Sequence, residues 1–264
     1  MSSLKPICLI TGASVGIGAA LARVFAGHGH PLALTARREP EMNALADEIE
    51  ASGSPRPHVI VADLADPHGT DTVAEALAAA GLEPSFVVNN AGFGLLGDAA
   101  TLDRVQQLAM IDLNNRALTD LSLCFLDSVT RHQGGILNVA SIAGFWPGPG
   151  MTIYHASKAY VVSFTEALHE ELKSDGVKVC ALCPGPVMTE FFDRAGVPDF
   201  HIPDLLTRSA ERVAREGYDA LIAGHRVVAP GTLNRLATVL PRLLPRGLAL
   251  AIQSRRWARV LQRG

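Results

Sequence analysis

The sequence predicts an α/β fold: one doubly wound parallel sheet with helices on both faces, followed by a basic amphipathic C-terminal extension. Three observations lead there. Short apolar, β-branched runs alternate with helix-period segments through the first 230 residues. The runs are apolar at successive positions rather than at every second one, as strands covered on both sides require. A chain of 264 residues, 48% hydrophobic and 19% charged, is also long enough to enclose one large core. With no internal repeat, low-complexity stretch or linker, residues 1–230 read as a single domain and residues 231–264 as the extension.

The elements follow in order. PICLITG (6–12) is the first strand and runs into the turn TGASVGIG (11–18), where Gly12, Ser14, Gly16, Ile17 and Gly18 lead directly into a helix over 18–28. Glycines there let a pyrophosphate approach the amides of a helix N-terminus, where the partial positive charge favours an anion. Three glycines alone could equally serve tight strand–helix packing, but their place after the first strand favours a dinucleotide. The second strand, PLALTAR (31–37), ends with Ala36 where an acid would meet a ribose 2′-hydroxyl, and Arg37 and Arg38 follow. A missing acid beside arginines favours a 2′-phosphate, hence NADP(H), against two solvated arginines at a helix start. Ser14 can add a hydroxyl to the same phosphate.

After a helix at 40–51, HVIVADL (58–64) is the third strand, with Asp63 either at the adenine edge or capping a helix. A helix at 69–80 separates it from SFVVNNAG (85–92). Helices at 101–110 and 114–131 precede GILNVAS (135–141), which brings Ser141 to the same sheet edge as the glycine turn. The helix at 154–173 begins YHASK, with a tyrosine and a lysine one turn apart. Such pairs are common surface neighbours. Beside Ser141, however, they offer chemistry: a cation favours the phenolate of Tyr154, and moving a phenol by 2 to 3 units takes roughly 3 to 4 kcal/mol. VKVCALCPG (177–185), a helix at 208–223 and HRVVAPG (225–231) complete the alternation.

TGASVGIG, NNAG (89–92), Ser141, YHASK (154–158) and PGPVMTE (184–190), in this order and spacing, resemble the short-chain dehydrogenase/reductase family over residues 5–230. The resemblance implies a Rossmann-like fold and a carbonyl–hydroxyl interconversion on a small, moderately apolar molecule. It matches Ser141, Tyr154 and Lys158 to the family's catalytic set. Asn89, Ala91 and Gly92 match the segment beside the cofactor, and Pro184, Gly185, Val187 and Thr189 the segment flanking the nicotinamide. For the family's relay asparagine, Asn114 and Asn115 compete, and Asn114 is preferred because it follows an apolar stretch; Arg116 stands where a glycine is frequent. The alternatives are an NAD(H)-dependent member of the same family and a non-catalytic dinucleotide-sensing protein on the same fold.

The remaining signals are weaker. Cys8, Cys124, Cys180 and Cys183 sit in apolar runs and read as buried thiols in a reducing compartment. Cys180 and Cys183, three apart on a strand, point to opposite faces, and His169-Glu170 lacks a second histidine, so no metal site is expected. The opening MSSLKPICLITG lacks the basic region and apolar stretch of a secretory signal, and no run approaches the ~20 apolar residues of a membrane span, so a cytoplasmic protein is expected. Phe93, Phe145, Trp146, Phe191 and Phe192 are candidate substrate contacts, with 191–206 read as a lid. His155 points away from the catalytic face. The extension holds seven arginines and no acid, which leaves the first 230 residues at −10 for a total of −3. Its leucines, broken by Pro241 and Pro245, suit packing on the domain or a sister subunit of a dimer or tetramer, contact with an anionic membrane surface, or the wall of a substrate channel. Nucleic acid is not expected, because stacking aromatics are nearly absent.

Overall fold

The computed structural model describes residues 4–195 and 207–261. Its strands are β1 (Lys5–Thr11), β2 (Leu32–Ala36), β3 (His58–Val61), β4 (Leu82–Asn89), β5 (Gly135–Val139), β6 (Lys178–Leu182) and β7 (Val227–Val228). All pairings are parallel, in the order β3-β2-β1-β4-β5-β6-β7. The chain steps outward from β1 to β3, then returns to pair β4 on the other side of β1. That reversal opens a crevice beyond the carboxyl ends of β1 and β4, where ligands of such sheets bind.

The helices are α1 (Gly16–Gly27), α2 (Glu39–Ala51), α3 (Gly69–Ala79), α4 (Arg104–Ile111), α5 (Leu118–Cys124) and α6 (Leu126–Arg131). They continue with α7 (Thr152–Glu171), α8 (Glu190–Ala195), α9 (Ala210–Ile222), α10 (Thr232–Leu243) and α11 (Arg246–Leu261). On one face of the sheet Phe25, Met42 and Leu221 from α1, α2 and α9 pack against Leu34, Leu137 and Leu182. On the other, Val73, Leu121, Val129 and Leu168 from α3, α5, α6 and α7 pack against Leu9, Val87 and Ile136. Each such side chain contributes about 1.5–3 kcal/mol by leaving water, so the edge that carries the crevice rests on a two-sided core.

Several expectations change. β4 begins three residues early because Pro84, which has no N–H to give a ladder, is absorbed by a register shift: Ile7 pairs Pro84, then Cys8 pairs Phe86. The helix expected over 114–131 is preceded by a π-helical turn at Asp112–Ala117 and breaks at Phe125. The extension was expected to break at Pro241, yet α10 runs through it to Leu243, and Leu244 is extended because Pro245 follows. Cys124 is exposed, a correction to the expectation of buried thiols, since it ends α5 on the side turned from the sheet. Cys180 and Cys183 are buried in separate core clusters. Residues 196–206 of the expected lid lie outside the described residues. Among the described residues no helix is long and apolar enough to cross a membrane.

Candidate active site

The site begins where β1 ends. Gly12 and Gly16 both take positive φ, 63° and 60°, and a Cβ on Gly12 would lie 2.8 Å from the Ala91 Cα. Val15 precedes α1 and no side chain caps that helix, so its first amides face the crevice available to an anion. The turn is fastened to β4 by two residues the sequence reading missed. Thr11 Oγ1 accepts from the amides of Asn90 and Ala91 at 2.9 and 3.0 Å, and Asn90 Nδ2 donates to the carbonyls of Thr11 and Gly12 at 2.9 and 3.1 Å. The second asparagine of NNAG was the available signal for it. Asn89, expected at the cofactor, turns into the core and donates to Ser122 and Asn138. Side chains alternate along a strand, so only one of the pair can face the crevice. Gly18 does not line the crevice either; a Cβ there would collide with the Gly12 carbonyl and the Asn90 amide.

Past the end of β2 the two arginines part company. The Arg37 side chain is 65% exposed and pairs with Asp63 at 3.5 Å. Asp63 also accepts from the Ala65 amide, closing a local turn rather than capping α3. Arg38 is 28% exposed, donates to Ser14 Oγ at 3.3 Å, and is flanked by Glu41 at 3.3 Å and Glu190 at 3.1 Å. The guanidinium and hydroxyl that the sequence offered to a 2′-phosphate therefore stand together beside the glycine turn. Room at the turn, uncapped amides and an Arg–Ser pair fit a phosphorylated dinucleotide.

Tyr154, Ser141 and Lys158 meet along the same crevice. Ser141 caps the short turn after β5 by accepting from the Ala143 amide at 3.1 Å. Lys158 is 5% exposed; its Nζ donates to the Val139 carbonyl at 2.8 Å and lies 5.9 Å from the centre of the Tyr154 ring. Burial lowers the lysine to about 8. Burial also pushes the phenol up to about 12, with the Ser141 hydroxyl beside it pulling the other way. The downward tuning expected from the lysine is not what the structure shows: burial dominates, and the opposing pull comes from Ser141.

Asn114 lies in the π-helical turn, fully buried. Its side chain accepts from the Phe93 amide at 3.1 Å, and donates to the Phe93 carbonyl at 3.0 Å and to Ser157 Oγ at 3.1 Å. Asn115 instead donates to the Ser157 carbonyl. Arg116 reaches the carbonyls of Leu64, Ala65 and Asp66, which accounts for a long cation where a glycine was expected.

The crevice and its continuation beyond Tyr154 form one cavity of about 920 Å³, at the upper end of the ~300–1,000 Å³ of ligand sites. Ile17, Ala91, Gly92, Pro184, Gly185, Val187 and Thr189 line it, as do Phe93, Trp146 and Phe191. Phe145 does not: it packs on the core formed by Leu118, Val161 and Cys183. The side chain of Phe192 lies outside the described residues. His155 joins the lining, and its Nδ1 meets the Trp146 carbonyl at 2.9 Å, which steadies the loop before α7.

The sequence reading did not name Ala237, Ile252 and Gln253, which place the C-terminal helices in the wall. Pro241 explains part of their docking. Lacking an N–H, it leaves the Ala237 carbonyl without its helical donor, and Trp146 Nε1 donates to that oxygen at 2.8 Å. Asn234 of α10 sits against Gly185 so closely that a Cβ there would collide with it.

A profile of the short chain dehydrogenase family matches residues 6–196. The chain is 39% identical over 191 residues to sulfoacetaldehyde reductase 2 of Chromohalobacter salexigens, covering 71% of this chain and 75% of that protein. It is 35% identical over 190 residues to an NADP-dependent 3-hydroxy acid dehydrogenase of Salmonella typhi, covering 70% and 74%. The solved structure of a short-chain dehydrogenase from Sphingobium yanoikuyae in complex with NADPH superposes with a TM-score of 0.78 at 31% identity, over 89% of this chain and 92% of that one.

Proposed function

Since the chain belongs to the short-chain dehydrogenase family of oxidoreductases, we propose that it is an NADP(H)-dependent enzyme interconverting a carbonyl and a hydroxyl on a small, moderately apolar molecule. One observation supports this most: Tyr154, Ser141 and Lys158 converge on the crevice that starts at the glycine turn. The amides of α1 and the turn would hold the pyrophosphate, Arg38 and Ser14 the 2′-phosphate, and Val187 and Thr189 would flank the nicotinamide. When bound, the cofactor supplies or accepts the hydride. Tyr154, kept neutral by burial, gives its proton to the carbonyl oxygen while Ser141 donates to the same oxygen. Lys158, steadied by the Val139 carbonyl, would hold a ribose hydroxyl of the cofactor. Asn114 is a positioning residue that fixes the Phe93 backbone and supports the proton path.

The test is Tyr154→Phe. Turnover of NADPH with a ketone should fall about a thousandfold while NADPH binding, read by fluorescence, persists. A folded, cofactor-binding variant with normal turnover overturns the mechanism.

A homo-oligomer is supported by the exposed apolar residues Val105, Leu108, Ile111, Leu123 and Tyr160 on α4, α5 and α7, of which Ile111, Leu123 and Tyr160 border one shallow depression. Ile111→Glu should shift the mass measured by light scattering to the monomer. Leu236, Val239 and Leu243 of α10 are exposed beside arginines, which suits an anionic lipid surface; co-sedimentation with anionic vesicles, with and without residues 232–264, tests that contact.

A further inference from the structure

Six side-chain amides are buried among the described residues: Asn89, Gln107, Asn114, Asn138, Asn234 and Gln253. Five donate hydrogen bonds within the protein. Asn89 donates to Ser122, Gln107 to the Ala99 and Leu102 carbonyls, Asn114 to Phe93, Asn138 to Thr165 and Asn234 to the Pro230 carbonyl. Gln253, on α11, is the exception. It is 6% exposed and lines the cleft, and its amide has no hydrogen-bond partner among the described residues. Its amide atoms are not fully enclosed, so they open onto the cleft, where a ligand group that pairs with them would replace solvent.

The charge of the wall narrows what that is. The fixed cations among the described lining residues are Arg37, Arg38 and Lys158, which stand at the end of β2 and on α7. Ile252 beside Gln253 is apolar, and Ala237, Trp146, Phe93, Leu95 and Met151 add further apolar lining, with Gln106 and His155 among the polar side chains of the same cavity. A sulfonate or carboxylate would meet that apolar lining without a counter-charge.

We propose that Gln253 selects the substrate: a neutral carbonyl compound with an apolar body and a hydrogen-bonding oxygen or nitrogen remote from the reacting carbon. The amide donates to and accepts from that remote group, while the apolar wall takes the body. The assignment rests on the carbonyl–hydroxyl reading for which carbon reacts, but the remote contact can be read without chemistry.

The experiment compares medium-chain methyl ketones that end in a methyl, a hydroxyl, a primary amide or a carboxylate. The proteins are wild type and Gln253→Met, which keeps the length and helix propensity but removes the amide. Turnover is followed by NADPH oxidation, and binding to the NADP⁺ complex by calorimetry. Wild type should favour the hydroxyl and amide ketones over the plain and carboxylate ones by about tenfold or more in both readouts. The ratio should fall toward one in the variant, with NADPH affinity kept. Gln253→Leu gives the same reading should the methionine variant not fold. An unchanged ratio, a wild-type preference for the carboxylate, or loss of NADPH affinity on substitution overturns the assignment. Selective binding without turnover of any ketone sinks the hydride-transfer reading and leaves Gln253 standing; turnover without selectivity does the reverse.

Discussion

The two walls of the cleft are built in opposite ways. On one side Ser141, Tyr154 and Lys158 hang from β5 and α7, whose positions follow from a parallel ladder buried on both faces, and Lys158 is bonded to the backbone of the strand it serves. On the other side α10 and α11 are attached through the Trp146 bond to Ala237 and the fit of Asn234 on Gly185, while Leu236, Val239 and Leu243 face solvent. The difference teaches where tolerance lies. On the proposed mechanism a displacement in the first wall would misalign a proton, whereas a displacement in the second would change which molecule fits.

The comparison predicts that damage to the first wall lowers turnover for every substrate alike, as in the Tyr154→Phe loss described above, the largest effect expected. Next is the cost of burying Lys158. Its native value of about 8 lies below the ~10.4 of an unfolded lysine, so the unfolded chain binds more protons in that window. Stability should therefore rise with pH between about 8 and 10.4. Urea unfolding should show Lys158→Met more stable than wild type at pH 7 by on the order of 3 kcal/mol, with the gap closing by pH 10; a constant gap would refute the buried cation. Arg38→Ala should weaken NADPH binding by roughly ten- to fiftyfold and leave NADH unchanged, whereas Arg37→Ala, exposed and paired with Asp63, should do little in the same titration. Smallest is Trp146→Phe, which removes one hydrogen bond worth about 1 kcal/mol. It should raise KM severalfold at nearly constant kcat, and a fall in kcat of equal size would place Trp146 on the proton path instead.

Much of this was legible in the sequence because parallel strands buried on both faces leave unbroken apolar runs, and because the glycine turn, Ser141 and YHASK all follow such runs directly. What was not legible needed the third dimension. Which asparagine of NNAG faces the crevice depends on strand register, and the sequence reading chose Asn89 where the structure turns Asn90. Phe145 and Trp146 are adjacent, yet one packs on the core and the other on the cleft. Arg38 could not be separated from Arg37 without seeing Ser14 beside it. The part played by Pro241 looked like a break because a missing N–H reads as a loss until the indole that uses the freed carbonyl is seen. Gln253 carries no motif at all.

That last residue has a consequence for how such a protein changes over time. The family profile ends at residue 196, so the stretch proposed to form the selective wall lies outside the matched profile, and the residues proposed to move the proton lie within it. Selection on appetite for a new molecule can act on one end of the gene while selection on the reaction holds the other end still. Exchange of residues 232–261 between relatives would then be a graft of taste onto an unaltered engine.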